Sequence, residues 1–257
     1  MRPILFYIGR LPIRAYGTMM MLAFAAGIAW AVREARRRGL DPGLILDLAV
    51  WIMVSGIVFA RAVFIALDPA LTWRDLPYIW RGGLSFHGGL IGGVLAALVF
   101  VRLKRIRFWT LADTCAPSIA LAYGIARIGC LLNGCCYGRP ATLPWGIVCV
   151  DPDTGVATPP SHPTQVYSAL ASWALFAALV VFARRSKLSG SVFLLYLMAY
   201  GVIRFLIEYL RRGVTAQPLH VRSLAWLTEA QLASIIIFVG AGLVWWWLAR
   251  RAAPATQ

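Results

Sequence analysis

Seven stretches of mostly apolar residues run through the sequence, at approximately 15–32, 44–67, 84–101, 110–132, 164–183, 190–209 and 229–249. About 20 such residues are enough to cross roughly 30 Å of hydrocarbon. Few folds are open to a chain patterned in this way. Inside a bilayer every backbone N–H and C=O must find a partner within the protein, so apolar segments of that length fold as α-helices. The expected class is an all-α membrane protein with seven transmembrane helices. An apolar share of 60% and a mean hydropathy of +0.73 agree with that class. Residues 1–257 are read as one integral membrane domain, and nothing in them demands more than a monomer.

The formal charge of +15 alone would suggest nucleic acid, but the basic residues cluster at segment ends, as a bilayer requires. No nucleic-acid partner is expected. Seven spans put the termini on opposite sides. With the N-terminus outside, the inner segments 33–43, 102–109, 184–189 and 250–257 carry 13 Lys or Arg in 33 residues. The outer segments 1–15, 68–83, 133–163 and 210–228 carry nine in 81. That contrast favours N-outside and C-inside. Trp245, Trp246 and Trp247, just before Arg250 and Arg251, fit an aromatic belt at the inner surface. Residues 1–14 mix apolar residues with arginine and read as an interfacial arm. No small-residue cleavage site follows the first span, so that span is expected to stay. The loop 133–163 holds Pro140, Pro144, Pro152, Pro159, Pro160 and Pro163, which predicts an irregular outer cap rather than a helix.

Ionisable residues at membrane depth are the main pointer to function, since a charge there costs about 2.5–3.5 kcal/mol on insertion scales. Arg61, His87, Arg127 and Arg204 fall toward the outer ends of spans two, three, four and six, and Tyr16 enters span one from the same side. Arg204, Glu208 and Arg211 share one helical face at i, i+4 and i+7. Glu208 neutralises one arginine, but a single carboxylate does not balance several guanidiniums. The surplus calls for an anion, and a phospholipid phosphate is the anion at that depth. His87 has the chemistry to take a proton from a thiol or hydroxyl, or to act as a structural donor. Around it, Gly88 with Gly92 and Gly89 with Gly93 form small-xxx-small pairs suited to close helix packing. Asp113, fourteen residues before Arg127, is expected to cap the start of span four.

The pattern Cys130-x4-Cys135-Cys136 does not suggest a metal, because adjacent cysteines do not readily ligate one tetrahedral ion and no Cys-x2-Cys pair or histidine cluster completes a set. No metal is expected. On an oxidising outer side, thiol redox chemistry or a disulfide from Cys149 to Cys135 or Cys136 stays open.

Several motifs in order give the chain a resemblance. These are Tyr16-Gly17; Gly83-Leu-Ser-Phe-His-Gly-Gly-Leu-Ile-Gly92; Ala112-Asp113 with Pro117; Ala126-Arg-Ile-Gly129 with Asn133-Gly134 and Gly138-Arg139; His162-Pro-Thr-Gln-Val-Tyr167; Gly201-Val-Ile-Arg-Phe-Leu-Ile-Glu-Tyr209 with Arg211; and Gln231-Leu-Ala-Ser234. Nearly end to end, the chain resembles the phosphatidylglycerol prolipoprotein diacylglyceryl transferases of the bacterial inner (cytoplasmic) membrane. The resemblance implies a multi-pass enzyme that moves the diacylglyceryl group of phosphatidylglycerol, a membrane lipid, onto the lipobox cysteine of a preprolipoprotein signal peptide. Glycerol 1-phosphate is released, and no metal or organic cofactor is implied. It also implies that Arg127 and Arg204 hold the lipid phosphate, that His87 and Tyr16 belong to the catalytic set, and that Arg61, Asn133, Gly138, Glu208 and Arg211 help bind substrate. This sequence departs from the family pattern at three positions: Cys130 stands for asparagine, and Cys135 and Ser168 stand for glutamates. Alternatives at this point are a paralogue with the same phospholipid site and another acceptor, a lipid or anion transporter, and a membrane thiol oxidoreductase.

Overall fold

The computed structural model describes residues 2–9, 11–79, 82–150, 155–211 and 227–252. Seven helices long and apolar enough to span a membrane follow in order: α1 (Ala15–Arg37), α2 (Pro42–Leu67), α3 (Phe86–Leu103), α4 (Phe108–Asn133), α5 (Thr164–Arg185), α6 (Ser191–Glu208) and α7 (Glu229–Ala252). Each corresponds to one expected span, with ends displaced by at most five residues. The largest displacement is at α1, where the basic run Arg33 to Arg37 continues the helix beyond its apolar part. Glu34 holds it there, accepting from Arg37 and Arg38 at 2.6–2.7 Å.

The N-terminal arm is not helical. It forms an antiparallel hairpin of β1 (Ile4–Ile8) and β2 (Leu11–Arg14), with Ile8 opposite Leu11. All five side chains of β1 are exposed, which suits a segment lying on lipid. At the other end of the chain, the Arg250 and Arg251 guanidiniums each sit 3.8 Å from the ring centroid of the tryptophan four residues earlier, Trp246 and Trp247. Each of these arginines thus stacks on the tryptophan one helical turn before it.

The chain divides into two compact units, Met1–Trp30 with Ala112–Gln257, and Ala31–Leu111. In the second unit α2 and α3 pack through glycine. A Cβ at Gly88 would lie 2.5 Å from the Phe59 carbonyl oxygen, and one at Gly92 would lie 2.6 Å from the Phe59 Cβ. Ser55 Oγ donates to the Gly92 carbonyl at 2.9 Å. Gly89 and Gly93 face looser surroundings, so Gly88 and Gly92 form the tight seam of the two predicted pairs.

In the first unit the core is built from Ala116 and Ala120 of α4, Leu175 and Leu179 of α5, and Val192 and Tyr196 of α6. Small residues on α4 let the larger ones of α5 and α6 approach. Asp113 differs from its expected role. Its carboxylate accepts from Gly190 N at 2.7 Å and Phe193 N at 2.9 Å, so it caps the start of α6 rather than of its own helix. Gly190 leaves α6 with no side chain of its own at the cap position, and the α4 carboxylate supplies the missing acceptor. Between α4 and α5 the described residues form no helix and are tied by isolated bridges that include Pro140 with Ser161 and Ile147 with Ser161.

Candidate functional site

Two helices of the first unit carry the same local pattern, a tyrosine four residues ahead of an arginine: Tyr123 and Arg127 on α4, Tyr200 and Arg204 on α6. Four residues make just over one turn, so each pair shares a face. Arg127 Nη2 donates to the Tyr123 hydroxyl at 2.5 Å, and its guanidinium carbon lies 4.6 Å from that ring's centroid. The Tyr123 and Tyr200 rings meet edge to face, with centroids 5.7 Å apart. The Tyr200 phenol lies within electrostatic reach of both Arg204 and Arg127. Two arginines from separate helices therefore converge on one aromatic pair.

Arg204 Nη1 donates to Glu208 Oε2, one turn further along α6. Glu208 is buried, and its other oxygen accepts from Thr228 Oγ1 at 3.4 Å. That carboxylate is spent. Arg211 follows just past the helix end, and its buried Nε has no acceptor among the described residues. A buried donor left unmet costs about 1–3 kcal/mol, and more when charged. Tyr123, Ser168, Ser172, Tyr200, Arg204 and Arg211 line a narrow cleft between α4, α5 and the end of α6. Arg127 reaches it through Tyr123. One paired carboxylate faces three guanidiniums here, so the cleft presents net positive charge with free N–H groups, the complement of a phosphate.

The remaining expected residues take different places. Tyr16, in the first turn of α1, feels the charges of Arg127 and of Cys130, Cys135 and Cys136. Asn133 ends α4, two residues before Cys135. A Cβ at Gly138 would lie 2.4 Å from the Leu210 carbonyl oxygen and 2.7 Å from His162 Cβ, and Gly138 bridges to Arg211. Gly138 thus brings the cap against the end of α6 and fixes the backbone of Arg211. Arg61 and His87 belong to the second unit. Arg61 Nη1 donates to the carbonyls of Gly82 at 2.6 Å and Gly83 at 3.1 Å, and Nε and Nη2 donate to that of Asp75. It staples the loop between α2 and α3. His87 is exposed in the first turn of α3, its ring edge-on to Phe86 at 5.7 Å.

Tyr123 and Tyr200 were not singled out from the sequence. Their signal was present in the repeated Tyr-x3-Arg spacing, but each tyrosine reads as core when taken alone.

Beside this cleft the sulfurs of Cys130, Cys135 and Cys136 all lie within 4.8 Å of one another. The spacing argument against a metal assumed that adjacent cysteines diverge. Cys136 instead has φ of 64°, a left-handed backbone costing a non-glycine residue about 1–2 kcal/mol, and the two adjacent thiols meet the same partner. Gln165 Nε2 donates to the Cys135 carbonyl at 2.7 Å, and Thr164 Oγ1 to that of Cys136 at 2.8 Å, holding the turn. Hydrogen bonds from Cys130 and Cys135, with Arg211 and Arg127 adding positive charge, pull the Cys136 thiol well below the usual range. All five cysteines are free, so the bridge from Cys149 that the sequence left open is not formed; burial pushes the Cys149 thiol up.

Comparison with known proteins connects this geometry to a family. The family model described as prolipoprotein diacylglyceryl transferase matches residues 3–247. Among curated relatives, a protein of a Nostoc species is 34% identical, the alignment covering 98% of this chain and 92% of that one. One from Geobacter sulfurreducens is 36% identical over 84% and 86%, and one from Pseudomonas putida is 34% identical over 95% and 93%. All three are named phosphatidylglycerol-prolipoprotein diacylglyceryl transferase.

Proposed function

The chain belongs to the prolipoprotein diacylglyceryl transferase family, and from that premise we propose that it transfers the diacylglyceryl group of phosphatidylglycerol to the lipobox cysteine of a preprolipoprotein, releasing glycerol 1-phosphate. It acts as a single integral membrane domain in the bacterial cytoplasmic membrane, with its N-terminus and cap outside, and as a monomer. The observation that carries the site reading is the charge surplus of the cleft: three guanidiniums, one carboxylate already paired, and a buried N–H on Arg211 without an acceptor among the described residues.

In the reaction, a sulfur–carbon bond forms at the glycerol carbon while the bond from that carbon to the phosphate oxygen breaks. Negative charge grows on the leaving phosphoglycerol. Arg204 and Arg127, oriented by Glu208 and Tyr123, are placed to stabilise that charge, and Arg211 supplies a further donor. Because the donors are held before substrate arrives, little reorganisation is needed as the charge develops. Tyr16 and Asn133 lie on the cysteine side of the cleft and belong to acceptor binding in this reading. The family resemblance puts His87 in the catalytic set; His87→Ala then lowers transfer while phosphatidylglycerol still binds.

The test is purified protein with radiolabelled phosphatidylglycerol and a synthetic lipobox peptide, beside the same peptide with serine for cysteine. Label confined to the cysteine peptide is the expected result. Label on neither peptide, with lipid bound in an Arg127-dependent way, would rule out the thiol acceptor and leave the lipid site.

A further inference from the structure

We infer that Cys130, Cys135 and Cys136 form a three-thiolate zinc site whose fourth position takes the acceptor thiol and presents it as a thiolate. This rests on the reading that the acceptor is a cysteine.

The geometry is the first support. Zinc–sulfur bonds of about 2.3 Å place the sulfurs of a tetrahedral site about 3.8 Å apart. The three sulfurs already lie within 4.8 Å of one another, at most about 1 Å outside that spacing. Among the described residues no fourth cysteine, histidine or carboxylate joins the group. Three protein ligands and one open position are the arrangement of a catalytic zinc, whereas a structural zinc takes four.

Its surroundings supply what such a site needs. Gln165 and Thr164 fix the carbonyls of two ligand residues. Supporting contacts of this kind orient the ligands of metal sites. The left-handed backbone of Cys136 is a local strain that persists where its surroundings over-determine it, and such strain gathers at functional sites. Three thiolates on Zn²⁺ carry one net negative charge, and Arg127 and Arg211 both lie within electrostatic reach of Cys136. A hard cation would gain nothing here, because thiolates select soft metals.

The chemistry gives the site its purpose. A free thiol has a pKa near about 8.5, so only a small share is nucleophilic at neutral pH. Zinc deprotonates a coordinating thiol outright. The proton passes to water as the acceptor sulfur binds. The sulfur lone pair then forms the bond to the glycerol carbon, and the electron pair of the broken carbon–oxygen bond leaves on the phosphate. The thioether product is neutral and a weak ligand, so it departs and reopens the position. Cys130 and Cys135 stand where the family pattern has asparagine and glutamate, so this chain carries sulfur ligands in place of an amide and a carboxylate beside the same lipid clamp.

The experiment uses full-length protein in detergent, reduced and kept anaerobic, titrated with Zn²⁺ against a chromophoric chelator and separately loaded with Co²⁺. Wild type and Cys149→Ser bind about one zinc per chain, and Cys130→Ser, Cys135→Ser and Cys136→Ser each weaken binding by about 100-fold or more, exceeding the effect of losing a supporting contact. The cysteine lipobox peptide, but not the serine peptide, shifts the sulfur-to-cobalt charge-transfer band. Zinc binding equal in wild type and Cys135→Ser overturns the site, as does a disulfide among the three cysteines in the alkylated, unreduced protein. A cobalt spectrum indifferent to the peptide overturns the acceptor role. Transfer at full rate after chelation also overturns that role and leaves the proposed function standing. Zinc bound at one per chain with no transfer to any thiol peptide points to failure of the acceptor reading beneath it.

Discussion

Arg61 and Arg211 are both arginines withdrawn from solvent in a membrane protein, yet they have opposite relations to their surroundings. Every nitrogen of the Arg61 guanidinium donates to a backbone carbonyl of the loop that follows its helix. Among the described residues Arg211 keeps a buried N–H without an acceptor, beside an arginine whose carboxylate partner is already shared with Thr228. A buried guanidinium is therefore not in itself evidence of a ligand. Its acceptors must be counted, and only where they run short does the fold leave room for an outside anion.

The comparison is tested hardest by Glu208→Ala. Removing one partner of a buried ion pair costs about 3–5 kcal/mol. Thermal unfolding should record that loss, and added phosphatidylglycerol should recover part of it by occupying the freed arginines. A stability unchanged by lipid would undo the surplus argument. Next come Arg127→Ala and Arg204→Ala, expected to lower transfer about 10²–10³-fold, the usual effect of removing one charge-stabilising donor. Their helix content by circular dichroism should match wild type. Arg61→Ala should do the reverse, losing about 1.5–3 kcal/mol of stability with the loss of hydrogen bonds to a charged group. The folded fraction should retain its transfer rate, and loss of transfer with an unchanged melting temperature would place Arg61 at the substrate after all. The smallest effect belongs to Tyr123→Phe, which removes one hydrogen bond worth about 1 kcal/mol and should slow transfer several-fold by loosening Arg127. A rate equal to wild type would make Tyr123 a packing residue alone.

The spans were legible because lipid imposes a length and a polarity that the chain writes plainly between Ala15 and Trp247. The hairpin of residues 4–14 was not. A short segment of mixed apolar and basic residues suits an interface in either conformation, and pairing of its two halves decides between them. The glycine seam was legible as a pattern, but its assignment to Gly88 and Gly92 depended on which face α2 meets. Arg127, Arg204 and Glu208 declared themselves by cost. Tyr123 and Tyr200 did not, since aromatic residues in apolar helices carry no penalty to flag them. The closeness of the three cysteine sulfurs was not legible from spacing, because the backbone at Cys136 helps decide whether neighbouring thiols converge. Arg61 was legible as expensive, and only its carbonyl partners reveal who meets the expense.

The cap on α6 bears on how the chain is made. Asp113 is synthesised 77 residues before the Gly190 amide that it receives. When α6 leaves the ribosome, the group that ends its first turn is already in the membrane on α4. The nascent α6 is thus an unfinished element until it finds its predecessor, and its insertion and its assembly become a single event. Asp113→Asn should accordingly lower the yield of correctly assembled protein in pulse-chase experiments more than it lowers the activity of the molecules that mature.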